Sequence, residues 1–296
     1  MKRKGLNKGP NPAIHLFFIF WCVICLIPFL IVVSASFTSK MDLAKYGYTV
    51  FPKTVSLEAY KFLLAAPQTI LNAYKSTAIV TVCGTVLSLI VDSLMAYALS
   101  RKGGTRLGKF LTYFIYIPTL IGGGLTPSYI INTRYLGLTD SLLVLFIPGL
   151  VHVFNIFMIR TFINQQPKSL MEAAKLDGAN EYGIYFHVAL PIAKPALATV
   201  GFNLALGYWN SWYNSMIYIR TNSKMTLQHL LQRMLGTLQQ FMAEMQAGLG
   251  PLSMADIPGE NLRMAMLVVA IGPMMFLFPF FQKYFVKGMV VGSVKG

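Results

Sequence analysis

Charge is scarce in this chain, and acid scarcer still. Only 12% of its 296 residues are charged, against the roughly 25% usual for soluble domains, and Asp and Glu together number 10. There are three cysteines and four histidines. Cys22 and Cys25 form a CxxC, but with Cys83 they fall in apolar stretches that lack the polar setting a thiolate needs, so they read as small packing residues. His15, His152, His187 and His229 lie in separate segments, so nothing in their spacing suggests a metal site. No HExxH, GxSxG or paired CxxC pattern occurs. Gly103 to Phe110, GGTRLGKF, approaches a phosphate loop, but Phe110 stands where magnesium requires Ser or Thr, and no α/β context surrounds it. The chain therefore carries no catalytic machinery of its own and is predicted not to be an enzyme.

What remains is overwhelmingly apolar: 55% hydrophobic residues. A bilayer-crossing helix takes roughly 20 apolar residues, and six such stretches are predicted near 14–36, 76–99, 110–132, 139–162, 197–219 and 263–285. The fold class expected is an all-α, polytopic membrane protein forming one domain over 1–296. The apolar run after the basic start MKRKGLNKGPNPAIH is too long for a signal-peptide core, so it reads as an uncleaved first span. The net charge of +15 does not point to nucleic acid, because the basic residues sit beside spans rather than in a stripe with aromatics. Lys2, Arg3, Lys4, Lys8, then Arg101, Lys102, Arg106, Lys109, then Arg160, Lys168, Lys175, Lys194, and finally Lys283, Lys287 and Lys295 fall on one side. By the positive-inside bias that side is cytoplasmic and holds both termini and the 163–196 segment.

Residues 172–195, EAAKLDGANEYGIYFHVALPIAKP, form a polar block among these spans. Pro167 suits a helix start, Ser169 to Leu176 continue it with Glu172 near its positive end, and Gly178 suits its stop. Asn180 can cap a second helix through Tyr182, Ile184, Phe186 and Val188, which Pro191 and Pro195 are expected to break. Ala173, Ala174 and Gly178 permit close approach of a partner, while Glu172, Lys175 and Asp177 offer charges. The pattern also allows amphipathic helices that simply lie at the lipid interface.

The block resembles the EAA signature of permease subunits of ATP-binding-cassette importers, with its EAA, DGA and LP elements in place. Residues 115–162, with IYIPTL, PSYIINTRYLGLTDS and PGL, and the tail GSVKG are similar to carbohydrate permeases of the maltose-transporter class. Ile121-Gly122-Gly123-Gly124-Leu125 is richer in glycine than that pattern, which bears on the helical geometry of the third span. The resemblance implies a type I importer permease fold and import of carbohydrate, of the oligosaccharide kind, across a bacterial cell membrane. It implies a second homologous permease, a cytoplasmic ATPase dimer that alone binds ATP and Mg, and an extracellular solute-binding protein. Glu172, Ala173, Ala174 and Gly178 would form the coupling contact, with Asp177 bracing the turn, and Gly292, Ser293, Val294, Lys295 and Gly296 would also reach the ATPase.

Substrate contacts are less sharply marked. Asn203, Asn210 and Asn214, with Gly207, recur at helical spacing in the fifth span, and Tyr208, Trp209, Trp212 and Tyr213 could stack on sugar rings. The same residues also fit hydrogen bonding between permeases and an interfacial aromatic belt. Asp92, the sole acid away from the edge of a span, is open to a transport role, to snorkelling or to a structural pairing. In the outer segment 220–262, Leu227, Leu230, Leu231, Met234, Leu235 and Leu238 predict an amphipathic helix against lipid, the partner permease or the binding protein. A secondary transporter driven by an ion gradient is the alternative, though it would want paired intramembrane acids. A membrane-embedded enzyme would need clustered polar catalytic residues in the spans, and none is present.

Overall fold

Long apolar runs have one economical way to satisfy their backbone polar groups away from water, and that is to become helices. In the computed structural model, residues 12–65, 67–246 and 259–293 are described, with side chains described for all of them except 168, 238, 241–242, 244–246, 276–278, 280–281 and 283–293. In chain order the helices are α1 (Pro12–Ser36), α2 (Lys40–Tyr46), α3 (Glu58–Leu63), α4 (Pro67–Lys102), α5 (Arg106–Leu120), α6 (Leu125–Ile130) and α7 (Val153–Asn164). They continue with α8 (Lys168–Leu176), α9 (Glu181–Ile184), α10 (Leu190–Ile192), α11 (Lys194–Trp209), α12 (Tyr213–Tyr218), α13 (Leu227–Gln246) and α14 (Glu260–Ser293). Strand-type pairing among the described residues is limited to an isolated antiparallel bridge between Thr38 and Val55. The backbone divides into two compact units, residues 1–67 with 234–272 and residues 68–233 with 273–296.

In the first unit, α1 exposes Leu16, Phe18, Phe20, Trp21 and Leu26 and buries only Ser34, Ala35 and Ser36 at its end. Such an all-round apolar surface suits lipid rather than water. The chain then turns sharply: Ser39 caps α2 by accepting from the Asp42 N–H at 3.2 Å, and Gly47 ends it at φ 71°. The start of α14 is anchored here. Asn261 donates to the Thr38 carbonyl at 3.3 Å, and Leu262, Ala265 and Met266 are buried.

In the second unit α4 is the central strut. Its small residues Ser76, Thr77, Val80, Gly84, Ser88, Ser93 and Ala96 are buried, allowing neighbouring helices to approach closely. At Gly84 an added Cβ would lie 2.8 Å from the Tyr208 ring. The apolar core around it includes Val80, Ala96, Ile156, Ile159, Ile184 and Val200.

The spans expected at 14–36 and 76–99 are single helices, α1 and α4. The next three expectations need correction, because each is a bent pair. The third breaks between Leu120 and Leu125 and turns by 110°. That break is the Ile121-Gly122-Gly123-Gly124 run, where Gly124 sits at φ 78° and no side chains support a helix. The fourth bends by 51° between two short 3-10 turns (Leu142–Leu145 and Ile147–Gly149) and α7, just after Pro148 and Gly149. The fifth is not one helix over 197–219: α11 stops at Trp209, α12 starts anew at Tyr213, and α11 pairs instead with the preceding 181–192 segment at 78°. The sixth lies within α14, of which Gly292 and Ser293 form the end, while Val294, Lys295 and Gly296 lie outside the described residues.

Candidate functional site

The polar block folds as a helix, a glycine turn and a second helix. Pro167 stands just before the first helical residue of α8, and Glu172 lies just beyond the first turn. Met171 and Ala174 pack inward, whereas Glu172, Ala173, Lys175, Leu176, Asp177 and Gly178 are exposed. Gly178 closes the helix at φ 84°: its N–H donates to the Lys175 carbonyl at 3.1 Å, and the Ala179 N–H to the Ala174 carbonyl at 3.0 Å. These two bonds satisfy the last carbonyls of the helix. The turn is closed by the backbone, with Asp177 exposed beside it. Asn180 caps α9, accepting from the Gly183 N–H at 2.7 Å.

The second helix departs from expectation at its far end. Pro191 does not break it, because residues Tyr185–Ala189 adopt a π-turn and helix continues through Ile192. A π-turn widens the ring ahead of the proline, relieving the clash and the missing donor. The bend comes at Ala193, and Pro195 occupies the first turn of α11. Exposed apolar side chains cluster along this surface: Leu176 is 89% exposed, Tyr182 74% and Phe186 57%. Leu176 escaped sequence reasoning because one leucine in a helix signals core, not surface.

A second feature missed in the sequence ties this block to α4. Glu181 accepts from Arg101 Nε at 3.2 Å and Nη2 at 3.1 Å, and from the Tyr97 hydroxyl at 2.7 Å. The Arg101 and Tyr97 hydrogen bonds hold the Glu181 carboxyl below the usual glutamate range. One turn on, Ser93 and Tyr185 share a buried hydroxyl bond of 2.8 Å. Ser93, Tyr97 and Arg101 recur every four residues, so one face of α4 carries all three. Arg101, Arg160 and Glu172 line a cavity of about 520 Å³ beside this clamp.

A further cavity of about 540 Å³ is lined by Asn203, Gly207, Tyr208 and Asn214 of the expected pathway set, joined by Ser128, Asn132, His152, Asn155 and Ser211. Trp209, Asn210 and Trp212 are elsewhere. Trp209 is buried with its ring 6.3 Å from Tyr74, Asn210 accepts from Gln228 at 3.3 Å, and Trp212 packs edge-to-face on Tyr213 at 5.7 Å. The reason is the end of α11 at Trp209, after which helical spacing no longer predicts a common face. Tyr208 is oriented by a 2.9 Å bond between its hydroxyl and Ser88. Asp92 is fully buried, which removes snorkelling. It accepts from the His152 N–H at 2.9 Å and from Asn155 Nδ2 at 3.3 Å, tying α4 to the residue before α7 and to its first turn.

At another edge of this unit Asp140 joins two loops. It accepts from the Thr221 hydroxyl at 2.6 Å and from the Thr221 and Arg220 N–H groups at 2.9 and 3.0 Å. Those bonds, the Thr221 hydroxyl first, hold its carboxyl well below the usual range. Beyond it, α13 begins at Leu227, with Leu227, Leu230 and Leu231 buried, Met234 and Leu235 half-buried, and Leu238 outside the described side chains. No group of three His, Cys, Asp or Glu side chains suited to a metal occurs among the described residues.

Residues 93–291 match the model of the binding-protein-dependent transport system inner membrane component family. Over 294 residues the chain is 34% identical to the polygalacturonan/rhamnogalacturonan transport system permease protein YtcP of Bacillus subtilis (strain 168), covering 98% of this chain and 99% of that one. It is 26% identical over 291 residues to the arabinooligosaccharides transport system permease protein AraQ of the same organism, covering 96% and 95%. Among solved structures, a chain of a bacterial ABC transporter involved in the import of the acidic polysaccharide alginate superposes with a TM-score of 0.75 at 28% identity, covering 94% of this chain and all of that one.

Proposed function

This chain belongs to the binding-protein-dependent transport system inner membrane components, and from that membership we propose that it is one of two related permease subunits of an ATP-driven oligosaccharide importer. As a permease it is not an enzyme; ATP hydrolysis resides in a separate subunit. The chain acts as a single membrane domain with both termini and the 163–196 segment in the cytoplasm and the 220–262 segment outside. A periplasmic-type or extracellular solute-binding protein delivers the substrate, and the cytoplasmic ATPase dimer holds the ATP and Mg.

Within this reading α8 docks the ATPase. Glu172 offers the charge, exposed Ala173 and half-buried Ala174 the close approach, and Gly178 the reversal of chain that presents them, with Asp177 beside it. The exposure of Leu176 supports the same surface, since a partner cleft gives this side chain the apolar cover it lacks. The tail Gly292 to Gly296 is assigned to the same interface. Closure of the ATPase dimer moves α8 and α9, and the Glu181 clamp carries that displacement to α4. The pathway runs through the cavity lined by Asn203, Tyr208 and Asn214, whose amides and ring suit hydroxyls and apolar sugar faces. Trp209, Asn210 and Trp212 support that wall from outside it. The relatives named above, for pectic, arabinose-based and alginate chains, support an oligosaccharide rather than a monosaccharide.

The observation that carries the proposal is full-length similarity to permeases of sugar-polymer importers. A secondary transporter gains no support, because the one intramembrane acid in view, Asp92, is consumed by structural bonds. Reconstitution into proteoliposomes with the partner permease, ATPase and binding protein tests it. ATP-dependent uptake is expected, and Glu172→Lys or Gly178→Asp is expected to lower it by at least about tenfold, the scale of one lost interface contact. Uptake that persists without the ATPase overturns the proposal.

A further inference from the structure

Two glycines from different segments line the 540 Å³ cavity, Gly149 at the end of a 3-10 turn and Gly207 within α11. A Cβ built on either meets nothing within 4 Å. A glycine inside a helix destabilises it relative to alanine, so it normally answers to a turn or to a close contact. The other glycine of α11, Gly201, has such a contact, because a Cβ there would lie 3.0 Å from Leu89. Gly207 has neither reason. It is not among the glycines at positive φ, and its helix runs on to Trp209. Among the described residues, nothing fills the space left open over its backbone.

The surroundings show what that space suits. No Lys, Arg, Asp or Glu lines the cavity, and its volume falls within the roughly 300–1,000 Å³ of small-ligand sites. Asn203, one turn before Gly207 on the same face of α11, and Asn214, in the first turn of α12, are both exposed and both line it. Other polar groups of the wall are engaged: Asn132 donates to the Tyr218 hydroxyl at 3.0 Å, Asn155 donates to Asp92 at 3.3 Å, and the Tyr208 hydroxyl is bonded to Ser88. Tyr208 and Tyr218 are buried, so each shows the cavity little of its ring. The accessible wall on α11 and α12 is therefore two amides and a bare stretch of helix backbone. A sugar ring is complementary to it. Its flat CH face can approach a glycine closely, and the hydroxyls at its rim can exchange hydrogen bonds with amides.

We infer that Gly207 is a saccharide-contacting residue: the open surface over it seats the apolar face of a passing sugar ring, while Asn203 and Asn214 take the ring's hydroxyls. This deepens, and rests on, the reading of the cavity as the transport pathway. Gly149 keeps a second part of the wall open to the same ring.

The test uses the full transporter in proteoliposomes. Its probe is the member of a panel of neutral and acidic di- to hexasaccharides that the wild type takes up fastest with ATP. Gly207→Ala is expected to lower uptake of that probe several-fold and Gly207→Leu at least about tenfold, the scale of one lost contact. Assembly with the partner permease and the thermal unfolding midpoint should stay at wild-type values, because the new side chain enters open space. Normal uptake by Gly207→Leu overturns the inference. So does loss of assembly in Gly207→Ala, which would make the glycine a helix-packing contact between permeases. Gly207→Cys, with Cys22, Cys25 and Cys83 replaced by serine, gives a readout of contact independent of uptake rate. Saturating probe is expected to slow its reaction with a small methanethiosulfonate several-fold and to leave Ser169→Cys unaffected; an unprotected Gly207→Cys overturns the inference. Asn203→Ala and Asn214→Ala, added in turn, should each raise the probe concentration for half-maximal protection several-fold, the scale of one hydrogen bond. Failure of the importer reading is separate: it appears as a wild type that takes up no member of the panel with ATP, whereas failure of this inference leaves wild-type uptake intact.

Discussion

Gly84 and Gly178 are both required as glycines, for opposite reasons. Gly178 has open space around it but a φ of 84°, so the restriction lies in its backbone. Gly84 has ordinary backbone geometry and no room, because Tyr208 lies against it. Gly84→Val should therefore displace the Tyr208 ring, break its bond to Ser88 and destabilise the chain by about 1–3 kcal/mol, as overpacking does. A fall in the thermal unfolding midpoint of the purified complex, together with slower uptake, would bear this out; an unchanged midpoint would not. The turn at Gly178 was legible from the DGA triplet alone, since a glycine after a helical run signals its end. The need for Gly84 was not, because it arises from a residue more than a hundred positions away.

Glu181 ties α9 to α4. Its bidentate pair with Arg101 is partly solvated, with side-chain exposures of 27% and 55%, so it adds no more than about 1 kcal/mol to stability. Its consequence is geometric, fixing α9 to one face of α4. Glu181→Gln is expected to leave the complex assembled and ATP hydrolysis active while uptake per ATP falls several-fold; equal loss of hydrolysis and uptake would argue against the clamp. The pH dependence follows from the lowered carboxyl pKa. Stability from Glu181 is fully present above its unfolded value of about 4.3 and is lost as pH falls through the folded value. Between pH 5 and 8 the clamp should thus be constant, which hydrogen exchange of the α9 amides can measure. The spacing of Ser93, Tyr97 and Arg101 was visible in the sequence, but their partner was not. Likewise Pro191 looked like a helix end, and only the π-turn before it explains why the helix continues.

For the whole molecule, charge distribution predicts orientation. With Cys22, Cys25 and Cys83 replaced by serine, a single cysteine at Ser169 is expected to react with a membrane-impermeant maleimide only from the cytoplasm, and one at Asn222 only from outside; the reverse would refute the topology. Six apolar runs and an EAA block were enough to indicate an all-helical membrane permease, because hydropathy and local motif are properties of neighbouring residues. Tertiary structure alone decided where the spans bend, which of the fifth-span residues reach the cavity, and that Asp92 and His152 meet. Those depend on contacts between distant segments: α11 ends at Trp209, so Asn203 and Asn214 share a cavity while Asn210 does not, and α4 brings Asp92 to the start of α7, 60 residues along the chain.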